Sequence, residues 1–67
     1  MARFNGAKFR ELMDEKGLSE RDVSMHIGYS QPMVHFFISG QRTPDIRQAA
    51  SMAQLVGVKI DDLIITE

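Results

Sequence analysis

Four glycines, Gly17, Gly28, Gly40 and Gly57, divide the chain at nearly even intervals, and Pro32 and Pro44 punctuate its second half. Between these breaks the apolar residues recur every three and four positions rather than every two, which is the spacing of helix faces and not of strands. A first helix is expected at about 5–16, with Phe9, Leu12, Met13 and Lys16 on one side and Gly17 just past its end. Ser19 can cap a second helix at about 20–27, paired with Asp22 three residues on, and this helix turns in Val23 and Ile27. Ser30 caps a third at about 31–38, with Pro32 in the first turn where a missing N–H does no harm. Thr43-Pro44-Asp45 reads as cap, first-position proline and early carboxylate of a fourth helix at about 44–56, which turns in Ile46, Ala49, Met52, Ala53 and Val56. A short fifth helix at about 60–65 supplies Ile60 and Leu63, with the poor capping residue Lys59 before it. No strand, repeat, linker or low-complexity segment is expected.

Such a chain, at 67 residues, makes one domain with a small core. Small domains often add disulfides, a metal or a partner subunit. The absence of cysteine removes disulfides and thiolate metal sites, leaving close helix packing or self-association, and it suits a cytoplasmic protein. The opening residues carry Arg3, Lys8, Arg10, Glu11, Asp14 and Glu15 with no apolar run between them, so no signal peptide is expected. No stretch approaches membrane-spanning length. The net charge of −1 names no partner, and its acidic excess lies in the last third, at Asp61, Asp62 and Glu67 against Lys59. Binding to nucleic acid would have to come from local geometry and not from a general basic surface.

That geometry is concentrated around Ser30–Gly40, SQPMVHFFISG, an apolar stretch without lysine or arginine. Only Gly28-Tyr29-Ser30 joins the second and third helices, and a left-handed glycine at such a corner forces a steep crossing. The facing residue of the earlier helix must then be small, and Ser24 is. Val34 and Phe37, three apart, are expected to anchor the third helix inward. Small residue, glycine and two apolar anchors are what a helix-turn-helix requires, here at about 20–39.

From about Phe9 to Leu63 the sequence resembles the phage-repressor and Cro-like, or XRE-like, helix-turn-helix domains. The resemblance rests on FRELMDEKGLSERDVSMHIGYS, the third helix, SGQRTPD and MAQLVGVKIDDLI, four pieces in register. It implies an all-α, compact five-helix lambda-repressor-like fold and sequence-specific binding of double-stranded DNA, commonly as a homodimer with the third helix in the major groove. It also implies a transcriptional regulator, a repressor by type, in the cytoplasm of a prokaryote or encoded by a phage. Three positions depart from the family pattern. Glu20 replaces the usual glutamine, and its charge would repel phosphate unless Arg21 or Ser19 held it. Pro32 and Phe36 are unusual on a groove-facing surface. Met13 and Ile38 stand where the family commonly joins an arginine to a glutamate; the joint exchange of a buried ion pair for hydrophobes is readily tolerated, and the two side chains are expected to touch.

With Val34 and Phe37 inward, steps of about 100° per residue turn Gln31, Pro32, His35 and Phe36 outward. These positions match the base-facing ones of the resembled family. Gln31 can pair with adenine, and Met33, Phe36 or the ring of Pro32 can pack on a thymine methyl, which favours an A·T-containing half-site. His35 can donate to a base or a phosphate. Phosphate contacts fall to Ser30 and the helix starts, to Arg21, and to Gln41 and Arg42 after the third helix, with Arg3 or Lys8 reaching a flank. Such a short set implies a log–log salt slope on the order of −3 to −5 per dimer, from roughly −0.9 per phosphate.

Plainer roles stand beside these. Phe36 is a base-contacting wedge, a protein anchor or a ring tucked against Phe4 or another core-edge residue; His35 is a reader or an incidental surface histidine. His26 and His35 lack metal-ligand spacing, so no metal or cofactor is expected, and Asp61 and Asp62 suit a helix start better than a catalytic pair. No nucleophile or phosphate-loop motif points to an enzyme. Ile64 and Ile65 cannot both enter so small a core; at least one is expected to be exposed as a dimer contact, unless this end is a frayed tail. The competing function is a protein-interaction module or antitoxin that keeps the fold with weak or no DNA binding.

Overall fold

The computed structural model describes residues 2–66. The order is β1 (Ala2–Phe4), α1 (Gly6–Lys16), α2 (Glu20–Ile27), α3 (Gln31–Ser39), α4 (Ile46–Val56), a 3-10 turn (Ile60–Leu63) and β2 (Ile64–Thr66). Four α-helices are therefore present among the described residues, where five were expected.

Each helix ends where its local chemistry says it should. Asn5 caps α1 by accepting the Lys8 N–H at 3.0 Å. Ser19 and Asp22 cap α2 reciprocally: Ser19 Oγ accepts the Asp22 N–H at 3.1 Å, and Asp22 Oδ2 accepts the Ser19 N–H at 2.8 Å. Ser30 Oγ accepts the Met33 N–H at 3.3 Å. The fourth helix corrects the sequence expectation. Its cap is Asp45, not Thr43, and Pro44 precedes the helix instead of opening it. Asp45 wins because Gln48 lies three residues on and returns the bond: Asp45 Oδ1 accepts the Gln48 N–H at 2.8 Å and Gln48 Oε1 accepts the Asp45 N–H at 2.9 Å. Pro44 and Ala49 then occupy the two positions of a hydrophobic staple, and both are buried. Starting at Ile46 also turns that residue away from the core, and it is 75% exposed.

The fifth helix is the larger correction. It shortens to the 3-10 turn, and Ile64-Ile65-Thr66 become a strand instead of helix or tail. Three β-branched residues in a row favour extended backbone. They pair antiparallel with Ala2-Arg3-Phe4, in the register Ala2↔Thr66, Arg3↔Ile65 and Phe4↔Ile64. The Asn5 N–H extends this closure by donating to the Leu63 carbonyl at 2.6 Å. Ile64 and Ile65 are both half-buried, so neither is the exposed residue expected.

The helices enclose one core of Phe4, Phe9, Met13, Val23, Val34, Phe37, Ala49, Met52, Ala53, Val56 and Leu63. Met13 is fully buried, and Ile38 packs, half-buried, against the same cluster. Where α1 meets α3, the buried first residue of the helix is Gly6, and its Cα lies directly over the carbonyls of Phe37 and Ile38. No other residue type leaves room there, so Gly6 sets how closely α1 supports the end of α3.

Candidate nucleic-acid interface

Two helices and a three-residue corner position the surface that the sequence singled out. Gly28 is left-handed, at φ +76°, and the N–H groups of Gly28 and Tyr29 both donate to the Ser24 carbonyl, at 2.9 and 3.1 Å. Ser24 is buried beneath this corner, and its hydroxyl donates back to the Arg21 carbonyl at 2.8 Å. A larger side chain with an unanswered polar group would force α2 and α3 apart. On α3, Val34 is 0% and Phe37 3% exposed, so that face is committed to the core. Gln31, Pro32 and His35 are exposed on the opposite face. Met33 and Phe36 flank it, half-buried, and Met33 packs against the core cluster.

Phe36 does not meet Phe4, whose ring packs on Phe9 with centroids 5.9 Å apart. Its ring lies instead near His35, centroids 6.4 Å apart. Gln31, Pro32, His35 and Phe36, with Glu20 from the start of α2, line an open hollow of about 360 Å³. The face is thus a shallow trough with an apolar wall and a few polar tips.

The polar tips are connected in a way the sequence did not reveal. Glu20 is held by neither Arg21 nor Ser19. Arg10 reaches across from α1, placing Nη1 3.1 Å from Glu20 Oε2, while its Nε lies 3.8 Å from Asp14. The Nδ1 of His35 lies 3.1 Å from the same Glu20 oxygen. Ser19 is occupied by its capping exchange with Asp22. The His35 hydrogen bond is the main cause that holds the Glu20 carboxyl below the usual glutamate range, against a smaller opposing desolvation, and Arg10 adds to it. Asp22 is lowered too, chiefly by the Ser19 backbone N–H and then by its hydroxyl. Arg10 was missed because ten residues and a helix boundary separate it from Glu20. The only signal was the unexplained acid at position 20 itself.

Arg21, Gln41 and Arg42, the side chains expected to meet phosphates, are exposed. The backbone N–H groups of Gln41 and Arg42 are already used, both donating to the Phe36 carbonyl at 3.0 and 3.1 Å, so only their side chains are free to reach outward. The first turn of α3 contains no acidic residue, whereas that of α2 contains Glu20 and Asp22. An approaching anion is therefore better received at the Ser30 end of α3 than at the start of α2. Among the described residues no group of histidine, aspartate and glutamate is arranged to hold a metal, and no helix is long and apolar enough to cross a membrane.

Comparison with known proteins places this geometry among relatives. A family model described as helix-turn-helix matches residues 9–63. An uncharacterized HTH-type transcriptional regulator, y4dJ, from Sinorhizobium fredii (strain NBRC 101917 / NGR234) is 31% identical over 64 residues, covering 96% of this chain and 83% of the relative. The crystal structure of a transcriptional regulator from Listeria innocua has the same fold, with a TM-score of 0.81 at 24% identity over 97% of this chain. This chain spans 64% of the length of that structure, less than two thirds.

Proposed function

The chain belongs to the helix-turn-helix family of DNA-binding transcriptional regulators, and from that premise we propose that it is a repressor that reads the major groove with α3 as a homodimer. The observation that carries this reading is the division of α3: Val34 and Phe37 are sealed in the core while Gln31, Pro32 and His35 face out. A helix anchored in this way can lie in a groove about 12 Å wide without disturbing the core that supports it.

In this reading Gln31 makes a paired hydrogen bond to adenine, and Pro32, Phe36 and the exposed part of Met33 pack on thymine methyls. Ser30 and the first turn of α3 receive one phosphate, and the side chains of Arg21, Gln41 and Arg42 receive others. Arg10 neutralises Glu20, so the acid at the start of α2 does not oppose the approach of the backbone. Two protomers related by a two-fold axis would set their α3 helices about 34–36 Å apart, one turn of the duplex. The dimer contact falls to Ile64 and Ile65 through the outer edge of β2, which carries no third strand among the described residues. The protein then acts in the cytoplasm, where the DNA is.

One observation favours a second reading, a protein-interaction module or antitoxin. The residues of α3 include no aspartate, glutamate, lysine or arginine, and an aromatic ring lines the hollow on their outer face. Mobility shift on random-sequence duplex at low salt separates the two. The DNA reading expects nonspecific binding below about 100 mM salt, since the electrostatic contribution operates there even in weak binders. No shift under those conditions would leave the protein-binding role. Selection of bound sequences from a random pool then yields the half-site, the spacing and the symmetry.

A further inference from the structure

The Arg10–Glu20–His35 connection has a consequence for what the outer face can recognise. A carboxylate only accepts hydrogen bonds, so the imidazole nitrogen facing Glu20 Oε2 at 3.1 Å must carry hydrogen. That nitrogen is Nδ1. In a neutral imidazole the other nitrogen, Nε2, is then a bare acceptor. The His35 side chain is 56% exposed and that of Glu20 is 21% exposed, so the ring leans its Nδ1 edge on Glu20 while more than half of the side chain stays open to solvent. No other hydrogen bond to the ring is made among the described residues.

We infer that Glu20 is a positioning residue for base selection: by holding Nδ1–H it presents His35 Nε2 to the duplex as an acceptor, so that this position selects a base with an exocyclic amino group in the major groove, adenine or cytosine. The inference rests on α3 being the DNA-reading helix and deepens that reading. It reverses the simpler expectation of His35 as a donor. A free surface histidine can offer either nitrogen as donor, but one leaned on a carboxylate has its tautomer chosen in advance. Arg10 keeps the arrangement from adding a net negative charge to the groove, because its guanidinium shares the same oxygen.

Protonation inverts the selection. Once the ring gains its second hydrogen, Nε2–H becomes a donor, and the favoured partners become guanine N7 and O6 or a phosphate. The charged groups that face His35 are Glu20 of α2 and, through it, Arg10 of α1 with Asp14 behind; α3 itself contributes none. The neutral ring therefore selects adenine or cytosine, and the protonated ring guanine.

Two measurements on the full chain test this. Imidazole nitrogen–proton correlation spectra of the free protein at about pH 8, above the ordinary histidine range, report the tautomer. His35 is expected in the Nδ1–H form, to lose it in Glu20→Ala and to keep it in Glu20→Gln, which retains an acceptor oxygen. A wild-type ring in the Nε2–H form, or one indifferent to Glu20→Ala, overturns the inference. Selection from a random duplex pool at about pH 8 and about pH 5.5, either side of that range, reads the base preference. One position per half-site is expected to move from adenine or cytosine to guanine, and His35→Ala is expected to flatten that position alone, by about 2- to 10-fold. A sequence preference unchanged by pH, by His35→Ala and by Glu20→Ala overturns the inference while leaving α3 as the reader. Failure to bind any duplex overturns the DNA reading itself, and this inference with it.

Discussion

Replacing Gly6 by alanine tests how α1 holds the reading helix. Gly6 is buried at the first position of α1, and its φ does not lie in the left-handed region, so backbone strain is not at issue. The issue is space. A methyl group there would collide with the Ile38 carbonyl oxygen, and it would lie 2.7 Å from the carbonyl carbon of Ile38 and 2.8 Å from the carbonyl oxygen of Phe37. Ordinary carbon–oxygen contacts begin at about 3.3 Å. The obstructing atoms are backbone at the end of α3, so they cannot swing aside as a side chain would. Overpacking of this kind costs about 1–3 kcal/mol, and the rigid neighbours put this case toward the upper end. Helix propensity works the other way, since alanine gains about 0.5–1 kcal/mol over glycine in a helix interior and less in the first turn. The steric cost wins, and the net loss is about 2 kcal/mol. For a domain of this size that lowers Tm by about 8–16 °C. Thermal and urea unfolding followed by far-ultraviolet circular dichroism measure it, with Ala7→Gly at the exposed next position as the propensity control. An increase in Tm for Gly6→Ala, as propensity alone would give, refutes the close approach of α1 to α3.

The caps make a paired prediction: Asp45→Ala should cost about 1 kcal/mol in urea unfolding, whereas Thr43→Ala should stay within about 0.5 kcal/mol. The reverse order would return the helix start to Thr43. Acid should weaken the fold in a defined direction. Glu20 and Asp22 are lowered in the folded state, by the His35 hydrogen bond and the Ser19 N–H respectively, so the unfolded chain takes up their protons first. Their contribution is complete above the ordinary carboxylate values of about 4 and is lost as pH falls through the lower folded values. Stability measured by urea titration down the acid range should decline there, and less steeply in Glu20→Gln. On DNA, Arg21→Ala and Arg42→Ala should each reduce the salt slope by about 1 per protomer while leaving the ranking of sequences intact. Gln31→Ala should do the opposite, costing about 1–3 kcal/mol of discrimination at one base with the salt slope unchanged. Quantitative mobility shifts across a salt series distinguish the two behaviours.

How far the sequence led depended on the range of the interaction involved. Residues within four of one another settled α1, α2 and α3 to within a residue, because caps, left-handed glycines and a three-to-four apolar spacing are local signals. The same local signals misplaced the start of α4, where Thr43-Pro44 looked complete until the Asp45–Gln48 exchange was seen to be better. The strands were invisible for a different reason. Three residues are too few to display an alternation, and Ile64-Ile65-Thr66 become a strand only because Ala2-Arg3-Phe4 lies alongside. The orientation of α3 was legible since Val34 and Phe37 follow from the Gly28 corner and the turn angle. The partners of Glu20 were not, because Arg10 and His35 come from two other helices and meet it only once the core has set their positions. Gly6 had a faint signal, a glycine inside a helical stretch where nothing required a break. Its meaning needed the far end of α3.

The central claim, that the outer face of α3 meets a duplex while its inner face stays in the core, is tested most directly by mapping backbone amide shifts as the protein is titrated with its selected DNA. The account predicts the largest changes at residues 30–36, with flanking changes at Arg21, Gln41 and Arg42, and only small changes in α4. Changes concentrated on α4 or on the paired strands, with residues 30–36 unmoved by a duplex that binds, would contradict it.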